Sequence, residues 1–208
     1  MSETILIQAP PASTRLILLF HGVGSTPESM VPLGRRLAET LPNATIISVR
    51  SPDSCDMGSG YQWFSVRGIT EDNRVQRVAD AMPRFVSTVR KLQATHGIAA
   101  EDTVLVGFSQ GAIMALESSG LEEVLAGCIV SIAGRFPRPP QRARTLTAFH
   151  LIHGDSDLVI TPGYGMAAAS QLRELGANVS LDLMPQLGHG INQAAAERVV
   201  HCLQPTAT

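Results

Sequence analysis

The stretch that decides the fold reads TVLV over residues 103–106, GFSQG over 107–111 and AIMAL over 112–116. The first run predicts a buried strand, and the apolar run after the glycines predicts the start of a helix. GFSQG matches the G-x-S-x-G pattern of a nucleophile elbow, which holds a serine at the tip of a sharp strand-to-helix turn. Ser109 is therefore the candidate nucleophile, and the alternative is a serine in an ordinary glycine-rich turn.

Apolar runs of strand length, rich in Val, Ile and Leu, recur along the whole chain. They cover residues 4–8, 15–20, 44–49, 103–106, 126–132, 148–153 and 179–184. Segments of helical period lie between or after them, at residues 27–41, 73–96, 164–175 and 193–203. This alternation predicts a mostly parallel central sheet with helices on both faces, an α/β fold. It leaves open whether the first strand is an antiparallel edge strand.

The composition indicates one globular domain over residues 1–208, because 44% of the residues are hydrophobic and 16% are charged. A formal net charge of −2 without a basic run argues against a nucleic-acid partner, so we expect a small-molecule substrate. The three cysteines are widely separated, which argues against a disulfide framework and a zinc site. We therefore expect a cytoplasmic protein with no metal or other cofactor. Its N-terminus lacks a signal-peptide pattern and no apolar run is long enough for stable membrane insertion, while a homodimer is left open.

Two segments lack a regular pattern. Residues 50–73 are too long for a simple connector, and we interpret them as a wall of the active site. Within them, Trp63 and Phe64 are the predicted walls of the substrate pocket, and the alternative is that Trp63 anchors the segment onto the core. Residues 134–145, GRFPRPPQRART, are expected to form an exposed connector that is too short for a cap domain.

A serine hydroxyl is a weak nucleophile at pH 7, so it needs an imidazole as base and a carboxylate to orient that imidazole. His189 is the candidate base, because it lies on a glycine-flanked loop after both candidate acids. Asp155 and Asp157 both follow a strand, in the kind of loop where open α/β sheets place their sites. The deeper position in the loop favours Asp157, but the pattern by itself leaves Asp155 open.

Two backbone N–H groups are candidates for an oxyanion hole. One belongs to Gln110, directly after the nucleophile, and the other to Val23 in HGVGS, which follows an early strand. HGVGS alternatively forms a plain strand-to-helix turn. Its glycines, with Arg50 after the next strand, also faintly resemble a dinucleotide-binding loop, but the last position of G-x-G-x-x-G falls on Pro27. We therefore expect no nucleotide cofactor.

Five segments occur in one order, namely LLFHGVG, QWFSVRGITEDNR, GFSQGAIMALES, LIHGDSDLVI and LGHGI. Together they resemble the small carboxylesterase/phospholipase family of α/β hydrolases, which also includes acyl-protein thioesterases. The resemblance implies an α/β-hydrolase fold and a serine esterase with Ser109, Asp157 and His189 as its triad. The chain departs from the family at Ser25 and Thr26, where the family often has an aspartate.

These observations predict a serine carboxylesterase that hydrolyses short- to medium-chain acyl esters through an acyl-serine intermediate. The chain between Ser109 and Asp157 leaves no room for a lid domain, which is why we expect short substrates. A thioesterase or lysophospholipase acting on longer acyl chains is the alternative within enzymes. A catalytically silent α/β hydrolase that serves as a binding module is the alternative from another class.

Overall fold

The computed structural model describes residues 3–143 and 145–204, and these residues form nine strands. The strands are β1 (Ile5–Gln8), β2 (Arg15–Phe20), β3 (Ala44–Val49), β4 (Asp53–Ser54), β5 (Tyr61–Gln62), β6 (Thr103–Phe108), β7 (Cys128–Ile132), β8 (Ala148–Gly154) and β9 (Asn178–Met184). Seven of them form one sheet in the order β1-β3-β2-β6-β7-β8-β9, and these seven match the seven predicted runs.

Strand pairing in this sheet is parallel except at one edge. β1 runs antiparallel to β3, so the first strand is an antiparallel edge strand. β2 lies between β3 and β6, with Leu18 opposite Ile47 on one side and Leu105 on the other. Since β6 leads to Ser109, the candidate nucleophile lies at the carboxyl end of a central strand. β4 and β5 pair separately as a two-stranded antiparallel unit within the segment 50–73.

Five α-helices connect or follow the strands in the described residues: α1 (Val31–Thr40), α2 (Glu71–His96), α3 (Gln110–Ser118), α4 (Pro162–Glu174) and α5 (Gln193–Leu203). α2 begins two residues before its predicted start, because Thr70 and Asn73 form a reciprocal capping box. The predicted helix over residues 27–41 begins with a 3-10 turn, since Pro32 has no N–H to give to a preceding carbonyl. Within the described part of the chain, no helix is both long and apolar enough to cross a membrane.

The helices cover both faces of the sheet, as the pattern predicts. Along β2, Leu16, Leu18 and Phe20 point into the core under α2, α3 and α4. Ile17 and Leu19 point the other way, into the core under α1 and α5. All five side chains are fully buried, and burial of a Leu or Phe side chain contributes about 1.5–3 kcal/mol to folding.

The connection from β7 to β8 differs from its prediction as an exposed connector. Its first residues are buried, with Arg135 8% and Phe136 7% exposed. Arg135 is accommodated because its guanidinium binds the Glu71 carboxylate, 2.6 Å from Nη2 to Oε2, and stacks on the Tyr164 ring. The connection builds no cap domain in the described residues, although Arg144 lies outside them. Residues 1–2 and 205–208 also lie outside, and a single domain over the whole chain stays a prediction.

Two helical glycines should differ in how strongly substitution by alanine destabilises the fold. A Cβ at Gly111 would lie 2.3 Å from the Phe20 carbonyl oxygen, whereas a Cβ at Gly34 would meet the ends of two side chains, Cδ1 of Ile7 at 2.3 Å and Cδ1 of Leu19 at 2.9 Å. Because backbone cannot move as a side-chain end does, Gly111→Ala should lower the free energy of unfolding by about 2 kcal/mol or more. Gly34→Ala should lower it by less than Gly111→Ala does, because side-chain ends can shift and because alanine favours helices. Urea titration of both variants measures the difference, and equal effects would contradict the packing argument.

Candidate active site

Ser109 occupies a strained turn between β6 and α3. Its φ of 52° and ψ of −114° lie outside the regions that side chains favour, at a cost of about 1–3 kcal/mol. The turn is held by the Ser109 amide, which donates to the Ile132 carbonyl at 2.9 Å. A Cβ at Gly107 would lie 2.4 Å from the Ala112 nitrogen, so only glycine permits this contact between strand and helix.

Three loops bring Ser109, His189 and Asp157 together. The Ser109 Oγ lies 2.9 Å from Nε2 of His189, and Nδ1 of His189 lies 2.7 Å from Oδ2 of Asp157. The three predicted residues therefore form one continuous hydrogen-bonded series. The Phe108 ring lies against the imidazole, with centroids 5.1 Å apart, and limits its rotation.

The Asp157 carboxylate is buried but well supplied with hydrogen bonds. Its side chain is fully enclosed, and Oδ1 accepts from the amides of Val159 at 2.8 Å and Ile160 at 3.0 Å. Burial by itself would raise the pKa of Asp157, but the hydrogen bonds from His189 and the two amides outweigh it and hold this pKa below its usual value. Asp157 is therefore ionised at neutral pH and favours the tautomer of His189 that is protonated at Nδ1.

The Asp155 side chain binds the loop that carries His189 and not the imidazole itself. It is exposed, and its Oδ1 accepts from the Gln186 amide and from the Ser156 hydroxyl, each at 2.8 Å. Gln186 has a φ of 56°, so this hydrogen bond holds a strained residue at the start of the loop that carries His189. Asp155, which the sequence pattern left open as the acid, therefore supports the loop that carries His189.

His153 supports the site in a way that the sequence analysis missed. Its side chain is 2% exposed, and Nε2 donates to the Ile160 carbonyl at 2.7 Å. The same nitrogen lies 3.5 Å from Oδ2 of Asp157. His153 therefore holds the loop that supplies two hydrogen bonds to the carboxylate. Its position four residues before Asp157 was the only signal in the sequence.

The two predicted oxyanion donors lie on separate segments that meet at Ser109. A Cβ at Gly22 would lie 3.2 Å from the Ser109 Cβ, so the loop that carries Val23 passes directly beside the nucleophile. The amides of Val23 and Gln110 both lack a hydrogen-bond acceptor in the part of the chain that the structure describes. This leaves both donors available for a ligand.

His21, next to this loop, is fully buried and has a defined tautomer. Nδ1 lies 2.8 Å from the Gly22 carbonyl and so carries the proton, while Nε2 accepts from the Ser51 amide at 3.2 Å. Burial lowers the pKa of His21 below its usual value. The neutral ring thereby ties the end of β2 to the chain that follows β3.

Trp63 and Phe64 lie in the core, with side chains 3% and 5% exposed. The Trp63 indole packs against the rings of Phe20 and Phe85 at centroid distances of 5.4 and 5.3 Å. This is the placement that the alternative interpretation, an anchor of the segment 50–73, requires. A role for either side chain in binding substrate stays a prediction.

Two amides of the HGVGS loop are already hydrogen-bonded within the protein. The Gly24 amide donates to the Tyr61 carbonyl at 2.9 Å, and the Ser25 amide donates to the Gly22 carbonyl at 3.3 Å. Amides that are engaged in this way do not cradle a phosphate, which disfavours the dinucleotide alternative. In residues 3–143 and 145–204, no three His, Cys, Asp or Glu side chains group as metal ligands do.

Known proteins resemble this chain over most of its length. A family model described as phospholipase/carboxylesterase matches residues 3–206. The chain belongs to this family of hydrolases. It is 43% identical to Esterase YpfH of Escherichia coli (strain K12), over 98% of this chain and 88% of the relative. It is 28% identical to acyl-protein thioesterase 1 of Neurospora crassa, over 89% of this chain and 84% of that one.

The solved structures support the same fold. The crystal structure of esterase PE8 matches with a TM-score of 0.88 at 27% sequence identity, and the match covers 97% of each chain. A Bacillus cereus carboxylesterase matches with a TM-score of 0.81 at 17% identity. The predicted α/β-hydrolase fold without a cap domain and the predicted family are thus confirmed.

The two carboxylates of this loop predict different kinetic effects. Asp157→Asn should lower kcat for 4-nitrophenyl butyrate by about three to four orders of magnitude, because an amide does not stabilise the His189 imidazolium. Asp155→Asn should lower kcat by less than about tenfold, because it keeps an oxygen acceptor for the Gln186 amide. Steady-state kinetics of both variants test the assignment, and the reverse ranking would move the acid to Asp155.

Proposed function

We propose that the protein is a serine carboxylesterase that cleaves short- to medium-chain acyl esters through an acyl-Ser109 intermediate. One observation carries this proposal, the series of hydrogen bonds from Ser109 through His189 to the buried Asp157 at a strained strand-to-helix turn. The names of Esterase YpfH and esterase PE8 support the same activity.

In the first half of the reaction, Nε2 of His189 accepts the proton of the Ser109 hydroxyl as Oγ attacks the ester carbonyl carbon. The carbonyl π electrons move to oxygen, and the amides of Val23 and Gln110 donate to this oxyanion. The tetrahedral adduct then collapses. Its bond to the alcohol oxygen breaks, and His189 returns the proton to the leaving alcohol.

In the second half, water replaces the alcohol. His189 accepts a proton from this water, and the resulting hydroxide attacks the acyl-Ser109 carbonyl. Collapse of the second tetrahedral adduct breaks the bond to Oγ, and His189 returns the proton to Ser109. Asp157 stays ionised throughout and orients the imidazole through Nδ1.

The proposed preference for short to medium acyl chains rests on how little of the polypeptide covers the site. Between Ser109 and Asp157 the described residues form only α3, β7, the connection with buried Arg135, and β8. A site without a lid buries few methylene groups, each worth about 0.8 kcal/mol, so affinity should stop rising after a few carbons.

A thioesterase is the second candidate, and the relative from Neurospora crassa, named an acyl-protein thioesterase, favours it. The same three residues would attack a thioester, and a thiolate would leave in place of the alcohol. A silent binding module is disfavoured, because all three side chains of the series are present and hydrogen-bonded.

Labelling tests the nucleophile. A fluorophosphonate should add its phosphonyl mass to the peptide that contains Ser109, and Ser109→Ala should take up no label. The same variant should lose several orders of magnitude in kcat, with a residual rate over water from the oxyanion donors. Thermal unfolding of the variant confirms that it is folded. Label on another residue, or full activity in Ser109→Ala, would overturn the proposal.

Acyl-chain length tests the substrate class. Values of kcat/KM for 4-nitrophenyl esters from acetate to palmitate should peak at a short or medium chain and then fall. A parallel series of acyl thioesters of the same lengths separates the two candidates, because a thioesterase should prefer the thioester at equal chain length. A steady rise to palmitate would instead favour a lysophospholipase or thioesterase that binds long chains.

A further inference from the structure

We propose that the Gln110 side chain is a positioning residue that holds the two halves of the oxyanion hole together. This inference rests on the proposed function, in which the amides of Gln110 and Val23 bind the oxyanion. The backbone of Gln110 supplies one donor directly. Its side chain sets the position of the other through a series of hydrogen bonds across the segment 61–64.

The Gln110 side chain binds that segment at two points. Oε1 accepts from the Trp63 amide at 2.7 Å, and Nε2 donates to the Phe64 carbonyl at 2.7 Å. The side chain is 1% exposed, so water does not compete for these bonds. A carboxamide offers an acceptor and a donor side by side, and it therefore satisfies one backbone N–H and one backbone C=O of this segment together.

The same segment holds the loop that carries Val23. The Tyr61 carbonyl accepts from the Gly24 amide at 2.9 Å, and the Tyr61 amide donates to the Ser25 carbonyl at 2.8 Å. Gly60 lies so close that a Cβ there would be 2.5 Å from the Gly24 carbonyl oxygen. The chain of contacts thus runs from Gln110 through Tyr61 to the residue directly after Val23.

A second hydrogen bond joins the same segment to the loop that carries Val23, on the other side of that residue. The Trp63 indole Nε1 donates to the His21 carbonyl at 3.3 Å, two residues before Val23. The loop is therefore fixed on both sides of the proposed donor, and both attachments pass through residues 61–63. Gln110 holds those residues to the start of α3, where the other donor lies. Loss of this attachment should shift one donor relative to the other.

Oxyanion donors must lie at about 2.7–3.1 Å from the developing charge, so a small shift of one donor is costly. A misplacement of about 1 Å lowers a rate by as much as about a hundredfold. The competing interpretation is that Gln110 merely satisfies two buried backbone groups. That role would stabilise the fold without any particular effect on the transition state.

Gln110→Met keeps the length of the side chain and removes both hydrogen bonds. Gln93→Met is the matched control, because Gln93 is also buried and donates to the Thr103 hydroxyl and the Leu125 carbonyl. Thr103 begins β6 and Ser109 follows its end, so the control lies far from the nucleophile. Both variants should lower the unfolding temperature, and only Gln110→Met should lower kcat for 4-nitrophenyl butyrate, by about tenfold to a hundredfold.

Inhibitor affinity reports on the oxyanion hole itself. A trifluoromethyl ketone with a butyryl-like chain forms a tetrahedral adduct with Ser109, so its Ki should rise in Gln110→Met by the factor by which kcat/KM falls. The ether analogue of the substrate carries no oxyanion, and its Ki should change less than about threefold. Equal weakening of both inhibitors, or a loss of activity in Gln93→Met as large as in Gln110→Met, would overturn the inference.

Gly60→Ala disturbs the contact between Tyr61 and the loop that carries Val23, at the other end of the same series of contacts. It is the variant to use if Gln110→Met does not fold. It should weaken the trifluoromethyl ketone and leave the ether analogue nearly unchanged. In the double variant, the two losses should be less than additive, because both displace the same loop.

Ser109→Ala separates the two proposals. If it keeps full esterase activity, the proposed function fails, whereas an inactive Ser109→Ala with unchanged kcat in Gln110→Met and Gly60→Ala overturns only this inference.

Discussion

The close approach of the α3 backbone to the sheet is the contact on which the rest of the site depends. At Gly111 the helix lies against the Phe20 carbonyl of β2, and at Gly107 the end of β6 lies against the nitrogen of Ala112. Any side chain at either position would push the helix away. Because the helix starts so close to the strand ends, Ser109 must adopt its strained turn, and the first amide of α3 lies beside the Ser109 hydroxyl.

The loops around this turn are held by hydrogen bonds of buried polar groups. Neutral His21 joins the loop after β2 to the chain after β3, His153 holds the loop after β8, and Asp157 receives three hydrogen bonds. An unpaired charge or amide at these depths would destabilise the fold. The lowered pKa values of His21 and Asp157 affect the pH dependence of stability in the same direction. Protonation of either group is therefore less favourable in the folded than in the unfolded protein, so acid should destabilise the fold.

Local patterns were sufficient to predict most of the elements. The seven runs of β-branched and apolar residues are the seven strands of the main sheet, because burial on both faces selects such residues at every position. The sequence pattern misled where the burial of a side chain depends on residues that are distant in the sequence. Arg135 looks like part of a charged, exposed connector, but Glu71 and Tyr164, distant in sequence, make its burial favourable. For Trp63 the sequence left two interpretations open, and its ring packs with Phe20 and Phe85 as an anchor would.

The sequence by itself determined the order of the elements, the family and the turn that carries Ser109, since each of these depends on neighbouring residues or on motifs in a fixed order. The motifs also favoured Asp157 over Asp155, and the tertiary structure brings its carboxylate to His189. Only the tertiary structure decided which side-chain amide pairs with residues 63 and 64. Asp157 and His189 are 32 positions apart, and Trp63 and Gln110 are 47 apart. Contacts of this kind depend on how the strands are ordered in the sheet and how the loops at its carboxyl edge pack against one another, and no local periodicity records that arrangement.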